Sequence, residues 1–107
     1  MISIDVFRKS VLSFPDVIEL PHFHLVSFRI KNKIFATFNE KEIRAMLKLS
    51  LIDQSVFCDV GKGAVCPVPG SWGKQGATYF DLKKVNLKLL KDALSCSYKL
   101  VAAGRNK

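Results

Sequence analysis

At 107 residues and 12.0 kDa the chain is sized for one domain, and folding at this length buries roughly 60–65% of the unfolded surface. Its 49% hydrophobic and 24% charged residues exclude a disordered chain, and no apolar run is long enough to span a bilayer. Seventeen Lys+Arg against nine Asp+Glu leave a formal net charge of +8, which favours polyanions such as nucleic acid, acidic proteins or anionic lipid, or else serves only solubility. The opening MISIDVFRKS has an early acid and no uninterrupted apolar core, so no signal peptide is expected. Three cysteines, Cys58, Cys66 and Cys96, form an odd set without metal-like pairs, which points to a reduced, cytoplasmic protein.

The first helix is expected over Ser3–Phe14. Ser3 suits the N-cap, Asp5 suits the positive first turn, and Ile4, Phe7, Val11 and Phe14 recur on one face. Pro15-Asp16 ends it, because the residue before proline is pushed out of the α region. Glu19–His24 reads as a connection or a short edge strand interrupted by Pro21.

LVSFRIK then alternates, with Val26, Phe28 and Ile30 on one face and Ser27, Arg29 and Lys31 on the other. A tight turn is expected at Asn32-Lys33, since Asn tolerates positive φ. KIFATFN returns with Ile34, Ala36 and Phe38 inward and Phe35, Thr37 and Asn39 outward. After the polar loop Asn39–Glu42, RAMLKLS sets Ala45, Leu47 and Leu49 against Arg44, Met46 and Lys48. Ser50 with Asp53 resembles a capping box that opens a short helix through Cys58, broken by Gly61 and Gly63.

PVPGSWGKQGATYFDL, residues 67–82, is the most distinctive stretch. A stiff Pro/Gly turn presents Trp72, the sole tryptophan, and Lys74 beside a strand expected over Ala77–Leu82. A helix from about Val85 to Ala102 closes the domain, and residues 104–107 read as a tail. Leu87, Leu90, Leu94 and Val101 make its core stripe, widened by Leu89, Ala93 and Leu100, with Lys84, Lys88 and Lys91 on a separate basic stripe. The pattern predicts an α+β fold of about five antiparallel strands with the N- and C-terminal helices on one sheet face.

Four segments carry a family resemblance: FRKSVLSFPDV at 7–17, FRIKNKIFATF at 28–38, PVPGSWGKQGATYFDL at 67–82 and LLKDALSCSYKLVAAG at 89–104. They are similar to the motifs of the MmcQ/YjbR family of small bacterial proteins, with Asp16 and Asn32 standing where that family often has glycine. The resemblance implies a CyaY-like (frataxin-like) fold and a DNA-binding role through a double wing of hairpins, and it names no catalytic motif.

Candidate chemistry elsewhere is sparse. His22-Phe-His24 places two imidazoles on one side of an extended segment, but a third metal ligand at suitable spacing is lacking, and no metal or cofactor is expected. Cys58 and Cys66 stand outside the usual zinc or redox spacing. Gly70–Gly76 superficially suggests a phosphate cradle, yet Val68 and Gln75 occupy positions where a P-loop needs glycine and Ser/Thr. No serine sits in a nucleophile elbow, so no catalytic residue is assigned. The only set that an enzyme would use is His22, His24, Trp72 and Lys74. Iron handling is opposed by the first helix, whose acids are only Asp5 and Asp16, amid Arg8 and Lys9.

What remains is a basic surface with interleaved aromatics. Arg29, Lys31, Arg44 and Lys48 are expected on the sheet face away from the helices, with Phe35, Thr37, Met46 and either Tyr79 or Phe80. Lys33 at the hairpin tip and Lys62 and Lys74 in loops would reach phosphates, and Trp72 completes the nucleic-acid set. The competing reading is a solvated face whose charges merely alternate against the core. The expected function is weak, mostly sequence-nonspecific DNA binding by a monomer, with a protein-interaction domain for an acidic partner as the alternative. Trp72 itself either stacks on a ligand or, as the favoured expectation, folds back as a lid on the core. As a lid its loss would cost about 3 kcal/mol or more.

Overall fold

The computed structural model describes residues 1–104; the rest of the expected tail, residues 105–107, lies outside the described residues. The first helix, α1 (Ile4–Leu12), starts where expected, with Ser3 Oγ accepting from the Val6 amide at 3.2 Å. It ends two residues short of Phe14, and Asp16 then turns the chain at φ 65°. Strand β1 (Ile18–His22) is a true edge strand despite Pro21, because an edge tolerates a residue that cannot donate.

β1 pairs with β2 (Leu25–Ile30), which pairs with β3 (Lys33–Asn39), then β4 (Arg44–Lys48). Helix α2 (Leu51–Gly61) follows, and the short strand β5 (Val65–Pro67) and helix α3 (Ser71–Lys74) lead into β6 (Ala77–Asp81). Helix α4 (Leu87–Ala102) closes the fold. The sheet is antiparallel throughout, in the order β1-β2-β3-β4-β6-β5. Among the described residues six strands thus stand where about five were expected. The addition is β5, three residues ending in Pro67, too short to show a period of two.

Helices α1, α4 and α2 lie on one face of this sheet. Phe7 of α1 packs on Phe28 and Phe38 at ring separations of 5.6 and 5.2 Å, and Phe57 of α2 meets Phe80 at 6.2 Å. α4 packs on β3 and β4 and buries Leu90, Ala93, Leu94 and Val101. Tyr98 of α4 stacks on Phe14 at 4.7 Å and donates to the Pro15 carbonyl at 2.8 Å, tying the chain after α1 to α4. Arg8 of α1 grips Glu19 of β1 as a fork, Nε to Oε1 at 2.7 Å and Nη2 to Oε2 at 3.0 Å. Among the described residues no helix is long and apolar enough to cross a membrane.

Four local expectations are corrected. Ile30 opposes Lys33, so the β2–β3 turn is Lys31-Asn32 rather than Asn32-Lys33. Both residues have positive φ, 51° and 67°, as a type I′ two-residue loop requires. Lys31 therefore sits in the turn instead of on the sheet face beside Arg29. α2 runs past Cys58 to Gly61, with Lys62 at φ 46° ending it, and α4 begins at Leu87 behind Asn86, whose Oδ1 accepts from the Leu89 amide at 2.7 Å.

The fourth correction matters most for the face. Register shifts between Phe28 and Arg29, so that Phe28 opposes Ala36 while Arg29 opposes Ile34. The extra residue is Phe35, a bulge that throws the rest of the hairpin out of simple alternation. Phe35 was expected outward; it is fully buried, edge-on to Tyr98 at 5.9 Å. Ile34 was expected inward and instead borders the open face opposite Arg29. The bulged carbonyl is not left dry, since Ser97 of α4, itself fully buried, donates to Phe35 O at 2.9 Å.

Two substitutions test this arrangement by urea denaturation. Phe35→Ala should cost about 3–5 kcal/mol, as a large core deletion, and clearly more than Ile34→Ala. Ser97→Ala should cost about 1–3 kcal/mol, because it leaves a buried carbonyl without its donor. Equal losses for Phe35 and Ile34 would contradict the bulge.

Candidate functional site

The face opposite the helices is hollowed into a cleft of about 770 Å³, running from the β1–β2 turn to the Trp72 loop. Register explains its composition. Residues that alternate with the core positions, Arg29, Thr37, Arg44, Met46, Lys48 and Tyr79, fall on this side. Tyr79 opposes Met46 and lies on the open face, while Phe80 opposes Ala45 and belongs to the core, which decides the alternative left by the sequence. Among the described residues four cations line the cleft, Arg29, Lys33, Arg44 and Lys48, and no aspartate or glutamate does.

Two of these cations are held in fixed orientations. Arg29 Nε donates to Ser27 Oγ at 3.1 Å, and that hydroxyl donates onward to the Leu20 carbonyl at 2.8 Å. Ser27 is wholly buried, so the chain anchors the guanidinium to the backbone of the edge strand. The Arg44 Cζ lies over the Tyr79 ring, 3.9 Å from its centroid, a cation–π contact, and among the described residues its buried Nε has no hydrogen-bond partner. A buried donor left unpaired opposes stability, so stacking and the neighbouring side chains must hold Arg44 in place.

The Trp72 loop is pinned from beneath. Gln54 of α2 shares its side-chain amide between the Gly73 carbonyl at 3.0 Å, the Ala77 carbonyl at 3.1 Å and Thr78 Oγ1 at 3.1 Å. Thr78 Oγ1 in turn donates to Gly76 O at 2.9 Å, and the Leu49 amide bonds the same carbonyl at 3.0 Å. Glycine is required at two points: a Cβ on Gly73 would strike the Val68 carbonyl, and one on Gly76, at φ 107°, would strike Leu49 O. The outcome is a single turn of helix, α3, with Trp72 projecting from it.

Trp72 is 69% exposed. It is not the lid expected from the sequence. Gly73 needs to pack directly on Val68, and that close backbone approach turns the adjacent indole away from the core and towards the cleft, which it lines.

Of the eight residues expected to contact nucleic acid, Arg29, Lys33, Arg44, Lys48 and Trp72 are gathered around the cleft. Lys31, Lys62 and Lys74 are not among its lining residues, being placed by the hairpin turn, the end of α2 and the outer side of α3. His22 and His24 do line it, whereas Lys74 separates from them, which breaks up the set an enzyme would use. Among the described residues no three of His, Cys, Asp or Glu are grouped to hold a metal ion. Cys58 and Cys96 are free thiols that burial pushes up in pKa, so both stay protonated and poorly nucleophilic at neutral pH. Asn39, expected outward by alternation, also lines the cleft, as does Gln75, which carried no signal in the sequence beyond its polarity.

No family model matches the chain, and no curated protein matches it in sequence. A solved structure does: the Deinococcus radiodurans protein DR2400, a DUF419 domain, superposes with a TM-score of 0.84 at 21% identity, covering 95% of this chain and 80% of that one. The two share a fold.

Stability separates anchor from contact here. Gln54→Ala should cost about 1–3 kcal/mol, since three buried or part-buried acceptors lose their donor. Trp72→Ala should cost less than about 1 kcal/mol, as expected of a largely exposed position. Urea titrations of both variants check the pair, and a Trp72 loss approaching 3 kcal/mol would restore the lid.

Proposed function

We propose that this protein is a weak, mostly sequence-nonspecific nucleic-acid-binding module of the MmcQ/YjbR type, acting as a cytoplasmic monomer and using its open sheet face. The observation that carries the reading is the cleft itself: among the described residues it is lined by four cations and no aspartate or glutamate, with aromatic rings from Tyr79 and Trp72 along one concave surface. Guanidinium and ammonium groups neutralise phosphates, and the orientation of Arg29 and Arg44 lowers the ordering cost of doing so. The net charge of +8 adds long-range attraction for a polyanion. The shared fold with a DUF419 domain, the family also called MmcQ/YjbR, supports the family reading.

Because the described charges lining the cleft are all cationic, affinity is expected to rest mainly on phosphate contacts. With Arg29, Arg44 and Lys48 as the contacting cations, log Kd against log salt should rise with a slope of about 2–3. Fluorescence anisotropy of a labelled oligonucleotide at two salt concentrations measures this. Arg44→Glu with Lys48→Glu should abolish binding. Binding that ignores both salt and the double variant would overturn the proposal.

A further inference from the structure

We infer that the cleft takes an unpaired strand in preference to a duplex, with a base stacked on Trp72 and the backbone running along β4; this rests on the nucleic-acid reading above. The shape argues first. The volume of about 770 Å³ falls in the range of sites that enclose small groups, and its cations line a recess. A duplex keeps its bases stacked inside and offers only phosphates, so rings within a recess gain nothing from it. An unpaired strand offers both charge and exposed π-faces.

The placement of the rings argues second. Trp72 is 69% exposed at the loop end of the cleft, held there by a buried hydrogen-bond network that constrains the loop and leaves the indole bare. The register pairs Lys48 with Ala77, and the Ala77 carbonyl accepts from Val68, so Lys48 is the cation nearest that end of the sheet. Arg44 stands four residues away on the same strand, on the order of 13 Å along it. Its guanidinium lies over the Tyr79 ring, and guanidinium planes are themselves platforms for unpaired bases. A strand lying between Lys48 and Arg44 therefore meets charge at each end and an aromatic or planar surface beside each charge.

Trp72 is the only tryptophan, so its own fluorescence reports the contact without labelling. The probes are oligothymidylate of about 12 nucleotides, within the length range of single-strand sites, a duplex of equal length, and inorganic polyphosphate. Oligothymidylate should quench Trp72 and bind at least about tenfold more tightly than the duplex. Trp72→Ala should weaken oligothymidylate binding about tenfold, consistent with one lost stacking contact, and leave polyphosphate binding unchanged. Trp72→Phe, which keeps a ring, should retain most of the affinity and serves as the control if the alanine variant folds poorly. Equal affinity for all three probes with unchanged fluorescence would overturn the single-strand inference and leave the polyanion function standing. Failure of every probe to bind would remove that function, and the inference with it.

Discussion

One-sided burial is the constraint from which the rest of this molecule follows. Three helices cover one face of the sheet, and the large apolar side chains, Phe7, Phe28, Phe35, Phe80 and the leucines of β4 and α4 among them, are spent on that side. The other face must then meet water with whatever alternates against the core. In this chain the alternating positions hold Arg29, Thr37, Arg44, Met46, Lys48 and Tyr79, which together make a charged and aromatic surface instead of a neutral one. Function, on this account, is written in the half of each strand that folding leaves free.

Two polar devices let the one-sided core coexist with a shaped open face. The Ser97 hydroxyl satisfies the carbonyl at the β3 bulge, and this allows Phe35 to enter the core while Ile34 and Arg29 border the cleft. The Gln54 amide does the corresponding work at the far edge, fixing the loop from which Trp72 projects. Each reaches from a helix on the covered side to backbone that shapes the open side. Both are buried, so each is required by the rule that interior polar groups be paired. Changes on the helix side, far from any ligand, can therefore alter the cleft.

Much of the fold was legible because its elements obey simple periods. β4 alternates cleanly, Ser3 and Ser50 mark helix starts through their side-chain oxygens, and the order of elements implied helices on one antiparallel face. The misreadings cluster where local pattern yields to a tertiary contact. Phe35 reads as outward in strict alternation, and only a partner 62 positions away, Ser97, makes the bulge acceptable. Trp72 reads as a lid because a large ring favours burial, whereas Gly73 and Gln54 decide its direction through contacts that no short window contains. Arg29, Arg44 and Lys48 line the open face, as their alternation against the core implies. Lys31 does not, since it lies in a turn whose residues are set by exact turn geometry.

The central claim is that the open face, and not the lysine-bearing helix side, is where a polyanion binds. Amide and indole NMR shifts recorded during titration with a short single-stranded oligonucleotide test it most directly. The account predicts that perturbations gather on Arg29, Arg44, Lys48, Tyr79 and the Trp72 indole N–H, and leave α4 unmoved. Perturbations centred on Lys84, Lys88 and Lys91, with the cleft residues silent, would contradict it.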